Sequence, residues 1–571
     1  MTLAQQSILI GIVVLMVIGL LSPLRLAAQE QDPADRARRF VAEHQATIRP
    51  LEMAAMRTAW DANISGKDAD YDAKEKAQNQ LDAALANPSG FTQLRDIRQA
   101  LHNDPAKADA LLLRQIDLLY LQYLEKQLDP ALLAQITAKA SAVEKAFNVY
   151  RAKVDGQDLS QSAVTKVLKT SKDSAYRKRV WEASKAVGPV VEQDLKQLIA
   201  LRNQAARKLG FTDYYDMQLQ LNEQSKDQVF KLFDELYELT AEPFQAAKRE
   251  IDAKLASDCG ITPAELRPWH YQDLFFQEAP AIYTADLDAL YAKADIVKLS
   301  REFYAGIGLP VDHVLARSDL FEKPGKNPHA SCWDLDWEGD VRVLANIVPD
   351  EYWMGTMLHE LGHSVYGAPY IPKNLSYVLR SPAHIFTTEG IAMMMERFSK
   401  RADWMQAMNL PVPDPKAVAQ AGEGMRRNQL LIFAAWSQVM SRFERAMYEN
   451  PDQDLNKLWW DLVEKYQQIH RPEDRNAPDY AAKIHIVSSP AYYHNYIMGE
   501  MFASQLHRVI ARDVLKTDPK TALYNGHKEV GQFLQTKVFA PGRTLRWDAF
   551  VRFATGAELS PKALVEDLKP Q

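Results

Sequence analysis

The sequence predicts a mostly α-helical fold carrying one small antiparallel β-sheet. From Asp35 to about Leu255 nearly every stretch places apolar residues at i, i+3 and i+4, the helical period. Only one segment, "ASCWDLDWEGDVRVLANIV" (330–348), alternates in the manner of strands, on either side of Glu338-Gly339-Asp340. Behind it the helical period resumes to the C-terminus. With 571 residues, 47% of them hydrophobic, the chain can bury a large core in two or three lobes.

The elements follow in order. Residues 7–24, "SILIGIVVLMVIGLLSPL", form an apolar run of signal-peptide length, and Ala27-Ala28 supply small residues for cleavage. Residues 1–28 therefore read as an export signal, or as an N-terminal anchor if retained, and 29–571 as one domain. Contact with a membrane is expected only in the second case. The helices "ADALLLRQIDLLYLQYLEKQL" and "VEQDLKQLIALRNQAARKLG" come next, the latter stopped by Gly210. A Pro/Gly-bearing break near "ASDCGITPAELRPWHY" precedes the hairpin. Further helices are predicted over 350–366, 388–400, 414–448, 453–470, 492–513 and 526–538. A formal charge of -6, with no lysine or arginine block, argues against a nucleic-acid partner. Two cysteines, Cys259 and Cys332, are too few for a disulfide framework, and whether they are joined stays open at this level.

The helix over 350–366 contains His359-Glu360-Leu361-Gly362-His363. Residues i and i+4 share a helix face, so both imidazoles can meet one ion. Glu360 is displaced sideways, where it can take a proton from water at the metal without being a ligand. The alternative is a pair of satisfied helical histidines under a glutamate. Tyr366 and Pro369 exclude the longer motif that places a third histidine at 369. His384, Glu389 and Glu396 are candidates for the third ligand. Glu389 ranks first, because it opens a second helix with Thr387 or Thr388 available as N-cap. His384 sits in a loop after Pro382, and Glu396 reads as a solvated residue at the far helix end.

On these residues the chain resembles the angiotensin-converting-enzyme-like peptidases, family M2 of the Glu-zincins. The likeness extends through "TAWDANISG" (58–66), "LRNQAARKLGFTDYYDM" (201–217), the 320–343 stretch and "AAKIHIVSSPAYYHNY" (481–496). It implies a two-lobed helical zincin fold around a deep central cleft, one zinc ion, and removal of dipeptides from oligopeptides with free C-termini. Carried over by residue, it makes His359, His363 and Glu389 the zinc ligands and Glu360 the general base. His329 and Ala330 would line the substrate backbone, Ala330 as an edge strand. His485 and a tyrosine would face the oxyanion, and Lys483, a second tyrosine and Gln272 the terminal carboxylate.

This chain is one residue longer than the family spacing between His485 and the tyrosines. Counting back from "FASQLH" assigns Tyr496 to the oxyanion and Tyr493 to the carboxylate. Counting forward would assign Tyr492 to the carboxylate and leave Asn495 where a phenol is needed. Asn495 also replaces an arginine that binds chloride in the family, which leaves chloride doubtful as a cofactor. Met393 stands in place of an aspartate expected to support a zinc histidine. Pro328 and Ala345 occupy the positions of the family's hairpin disulfide. Without the resemblance, His485 reads as a core histidine on a strand-like run and Lys483 as a surface lysine. An oligopeptidase or carboxypeptidase of the same type, and a peptide-binding relic, are the competing functions.

Overall fold

A computed structural model describes residues 32–569, apart from residues 108, 160, 284, 328, 368 and 369. The proposed leader, 1–28, lies outside the described residues. No helix among the described residues is long and apolar enough to cross a membrane.

Short acidic side chains open many of the helices, as their preference for accepting first-turn N–H groups dictates. Asp109, Asp350, Asp414 and Asp454 accept from Leu112, Trp353, Ala417 and Lys457 at 2.8–3.0 Å. Helix α1 (Arg49–Ser65) belongs to the N-terminal part of the chain. There Phe40, Leu94, Ile97, Leu101, Ile116 and Leu119 form a core of their own. A larger core runs from Val143 to Leu568. The predicted helical monotony is interrupted once, by a hairpin of β1 (Ala152–Val154) and β2 (Gln157–Leu159). Asp155 and Gly156 turn it with φ of 51° and 81°, a two-residue Asp-Gly signal that the surrounding helical period obscures. Helix α2 (Val187–Lys208) stops two residues before Gly210, whose N–H returns to Arg207 O.

The predicted central hairpin is present as β3 (Ser331–Asp334) and β4 (Val341–Leu344). Beyond β4 lies only an isolated bridge from Asp319, so the outer edge of β3 carries no partner strand among the described residues. Helix α1 supports this hairpin. Trp60 meets Trp333 edge-on at 6.1 Å and packs with Leu335 and Leu344. Gly66 closes α1 at φ 65°, and a Cβ there would lie 2.1 Å from Gly325 O. That backbone approach lets Asn63 accept from both the N–H and the amide of Asn327, at 2.9 and 2.8 Å. Asn327 in turn accepts the His329 N–H at 2.9 Å. The "TAWDANISG" motif thus seats the loop that leads into β3.

Cys259 and Cys332 are both free thiols, and Cys259 closes a 34-residue helix. In place of a disulfide, the fully buried Lys326 ammonium ties the base of the hairpin together. It donates to Asp319 Oδ1 at 2.7 Å, to Asp319 O and Phe321 O at 2.9 Å, and to Ala345 O. Removing one member of a buried charged pair costs about 3–5 kcal/mol. Lys326→Met should therefore lower the unfolding free energy by about that amount, read from the shift of the urea midpoint. Asp319 keeps its ion pair with Lys323 in that variant, so the loss is mainly that of the buried ammonium's bonds to Asp319 O, Phe321 O and Ala345 O.

Helices α3 (Glu351–Tyr366), α4 (Ile385–Glu396), α5 (Pro415–Glu449) and α6 (His494–Val509) build the remainder of the site. Helix α4 begins three residues before the predicted start, because His384 rather than a threonine is its N-cap. The His384 ring accepts from Phe386 N–H, and Thr387 donates its hydroxyl to His384 O. Helix α6 extends into a π-helical turn over Ile510–Leu515.

Candidate metal centre

Helices α3 and α4 cross where Gly362 faces Ala392. A Cβ on Gly362 would sit 2.7 Å from Ala392 Cα, so only glycine permits this approach. The crossing brings His359 and His363 to Glu389. The two Nε2 atoms are 3.1 Å apart, and Glu389 Oε2 lies 3.6 and 3.7 Å from them. Donors 2.0–2.1 Å from a tetrahedral zinc are about 3.3 Å from one another, so this spacing fits. Glu389 Oε2 is buried and has no hydrogen-bond partner, as expected of an oxygen reserved for a cation. Among the described residues these three form the one His/Cys/Asp/Glu cluster suited to a metal. His384 stands apart from it, its Nε2 3.1 Å from Asn222 O.

The far nitrogens of both histidines are held. His359 Nδ1 lies 2.9 Å from Glu396 Oε2, and His363 Nδ1 lies 2.8 Å from Thr388 Oγ1. Glu396 is partly solvated, as expected, but it also holds His359. It supplies the carboxylate that Met393 lacks, seven residues beyond Glu389 and hence two turns along the same face. Burial opposes its ionisation, but His359, Lys400 and Arg397 outweigh that and hold its pKa at about 2. The carboxylate fixes which His359 nitrogen carries the proton. Glu396→Gln should weaken zinc binding about 10- to 100-fold in a chelator competition, whereas Met393→Leu should leave it unchanged.

Glu360 is buried, and burial raises its pKa to about 7, with Glu389 and Glu396 adding to the effect. A bound dication would act in the opposite direction. His485 lies on a short helix, Ile484–Ser488, rather than on a strand. Burial, then Lys483 and His329, lower its pKa to about 3, so the ring is neutral. Its Nδ1 is buried without a partner. Tyr493 and Tyr496 meet the His485 ring edge-on at 5.0 and 6.0 Å. His329, exposed on its loop, is near enough to repel a charge on His485, and Ala330 immediately precedes β3.

Lys483 is 6% exposed, and its ammonium lies 5.4–5.5 Å from the Phe275, Trp436 and Tyr493 rings. It donates to Gln277 Oε1. The assignment of Gln272 is corrected here. That residue has φ 63°, and its amide oxygen accepts from Ala281 N–H at 2.9 Å, so Gln277 is the glutamine beside Lys483. The 268–283 stretch is irregular, and no period in the sequence signals which glutamine turns inward. Tyr493 accepts from Trp436 Nε1 at 2.7 Å and keeps its own proton to donate. Tyr492 donates to Glu389 Oε1 at 3.0 Å.

A mostly helical fold with this His/His/Glu cluster suits a zinc metallopeptidase. The M2 peptidase family model, described as angiotensin-converting enzyme, matches residues 31–247 and 276–571, and the chain belongs to this family. It is 24% identical to an angiotensin-converting enzyme of the leech Theromyzon tessulatum over 336 residues, 54% of each chain. Against the angiotensin-converting enzyme of Mesocricetus auratus it is 23% identical over 71% of this chain and 33% of that protein. Against that of Haematobia irritans exigua it is 22% identical over 76% and 78%. The chain thus spans about half the length of the leech protein and a third of the hamster one.

Proposed function

We propose that the protein is an exported, zinc-dependent peptidyl-dipeptidase that removes C-terminal dipeptides from oligopeptides. One observation carries the direction of attack. A buried ammonium, Lys483, stands with Gln277 and Tyr493 two residues from His485, so a site suited to a carboxylate adjoins the candidate catalytic groups. The export reading rests on residues 1–28.

The free edge of β3, entered at Ala330, pairs with the substrate backbone and His329 flanks it. Lys483, Gln277 and Tyr493 hold the terminal carboxylate, which fixes how many residues extend past the scissile bond. Held by His359, His363 and Glu389, zinc would polarise the carbonyl and acidify water. Glu360 takes the proton of the attacking water and later delivers it to the leaving amine. His485 N–H and Tyr496 O–H donate to the oxygen on which charge develops.

Product masses from a mixed peptide library test the reading. Dipeptides should be released from free C-termini, and the same peptides amidated should resist. Cleavage of amidated peptides at internal bonds would replace the proposal with an endo-acting oligopeptidase, and release of single residues with a carboxypeptidase. Burial lowers the Lys483 pKa to about 8, against Asp273 and Glu278. Below that pH the ammonium is charged and attracts the carboxylate; above it the charge is lost. For free-acid peptides, kcat/KM should fall about tenfold per pH unit above 8, and Lys483→Met should remove that limb.

A further inference from the structure

The backbone bends sharply just before the tyrosine cluster. Ala491 is buried with φ 54°, and its N–H donates to the buried Glu444 carboxylate at 2.6 Å. A non-glycine residue in this conformation is uncommon and is held here by its surroundings. The chain that follows aims Tyr492 at the candidate metal cluster. Its hydroxyl donates to Glu389 Oε1 at 3.0 Å, and its ring meets Tyr496 edge-on at 5.3 Å. The other oxygen, Oε2, is the one facing both imidazoles without a hydrogen-bond partner. The two Glu389 oxygens are therefore differentiated: one is committed to a phenol and the other points at the metal position.

We propose that Tyr492 is a positioning residue that restricts Glu389 to one-oxygen coordination. This rests on the reading that His359, His363 and Glu389 hold zinc. A carboxylate free to rotate would offer both oxygens and fill the position that a catalytic zinc site keeps open for water and substrate. Tyr492 opposes that by holding Oε1 away.

Zinc affinity and the visible spectrum of the cobalt(II)-substituted protein test this apart from turnover. Tyr492→Phe should raise the zinc dissociation constant about 10- to 100-fold. It should also shift the cobalt spectrum from strong, four-coordinate absorption to the weaker five-coordinate form. Tyr496→Phe should alter neither readout. An unchanged zinc constant and spectrum in folded Tyr492→Phe would overturn the proposal. If that variant does not fold, the wild-type spectrum decides, and a five-coordinate one overturns it. Absence of stoichiometric zinc from the wild type would overturn the metal reading itself, a result distinct from either.

Discussion

Glu360→Gln is expected to leave fold and zinc content intact while lowering kcat about 10²- to 10⁴-fold. The amide matches the carboxylate in volume, so the buried position between His359 and His363 stays filled. What disappears is the capacity to accept a proton. In the proposed reaction Glu360 acts twice, first on the attacking water and then on the leaving amine, and no neighbour can substitute. Glu389 and Glu396 are committed to the metal position and to His359. Steady-state kinetics with a free-acid peptide, beside metal analysis of the same preparation, gives the answer. Near-normal turnover would refute the proposed base. Loss of zinc with the activity would mean that Glu360 is a ligand.

Tyr496→Phe should reduce kcat about 10²- to 10³-fold, ~2.7–4 kcal/mol of transition-state stabilisation, with KM little altered. The phenol lies beside the neutral His485, in surroundings where burial and the charges of Glu389 and Glu360 keep it protonated. A donor aimed at charge that appears only in the transition state affects kcat and not ground-state binding. Tyr493→Phe supplies the contrast. Its hydroxyl is shared with Trp436 near Lys483, so its loss should appear mainly in KM. If the two variants exchange these patterns, the tyrosines are assigned in the wrong register.

The two counts through 485–496 differ by one residue, and no local pattern separates them, because three tyrosines in five positions suit either. In the structure Ala491 has a positive φ and donates to Glu444 of α5, and beyond it Tyr492 contacts Glu389 while Tyr493 stands near Lys483; the proposed register is the one consistent with these contacts. Gln277 was hidden for a similar reason, since it lies in a stretch of short turns where side-chain direction follows no period. Glu396 was within reach of the sequence. Seven residues after Glu389, it shares that residue's helix face, yet its position at the helix end suggested solvent.

By itself the sequence determined the helical class, the central hairpin and the pairing of His359 with His363, because each depends on a period of two or 3.6 residues within one segment. It also marked Glu389 as the leading partner for that pair. Only the tertiary structure decided which groups stand behind the ligands. Glu396 behind His359, Thr388 behind His363, Tyr492 behind Glu389 and Lys326 at the base of the hairpin all depend on how separate segments approach. Gly362 against Ala392, Gly390 against Gly499 and Gly66 against Gly325 are among the close contacts that permit those approaches. Such contacts arise from close packing between elements distant in sequence, and no periodicity within an element encodes them.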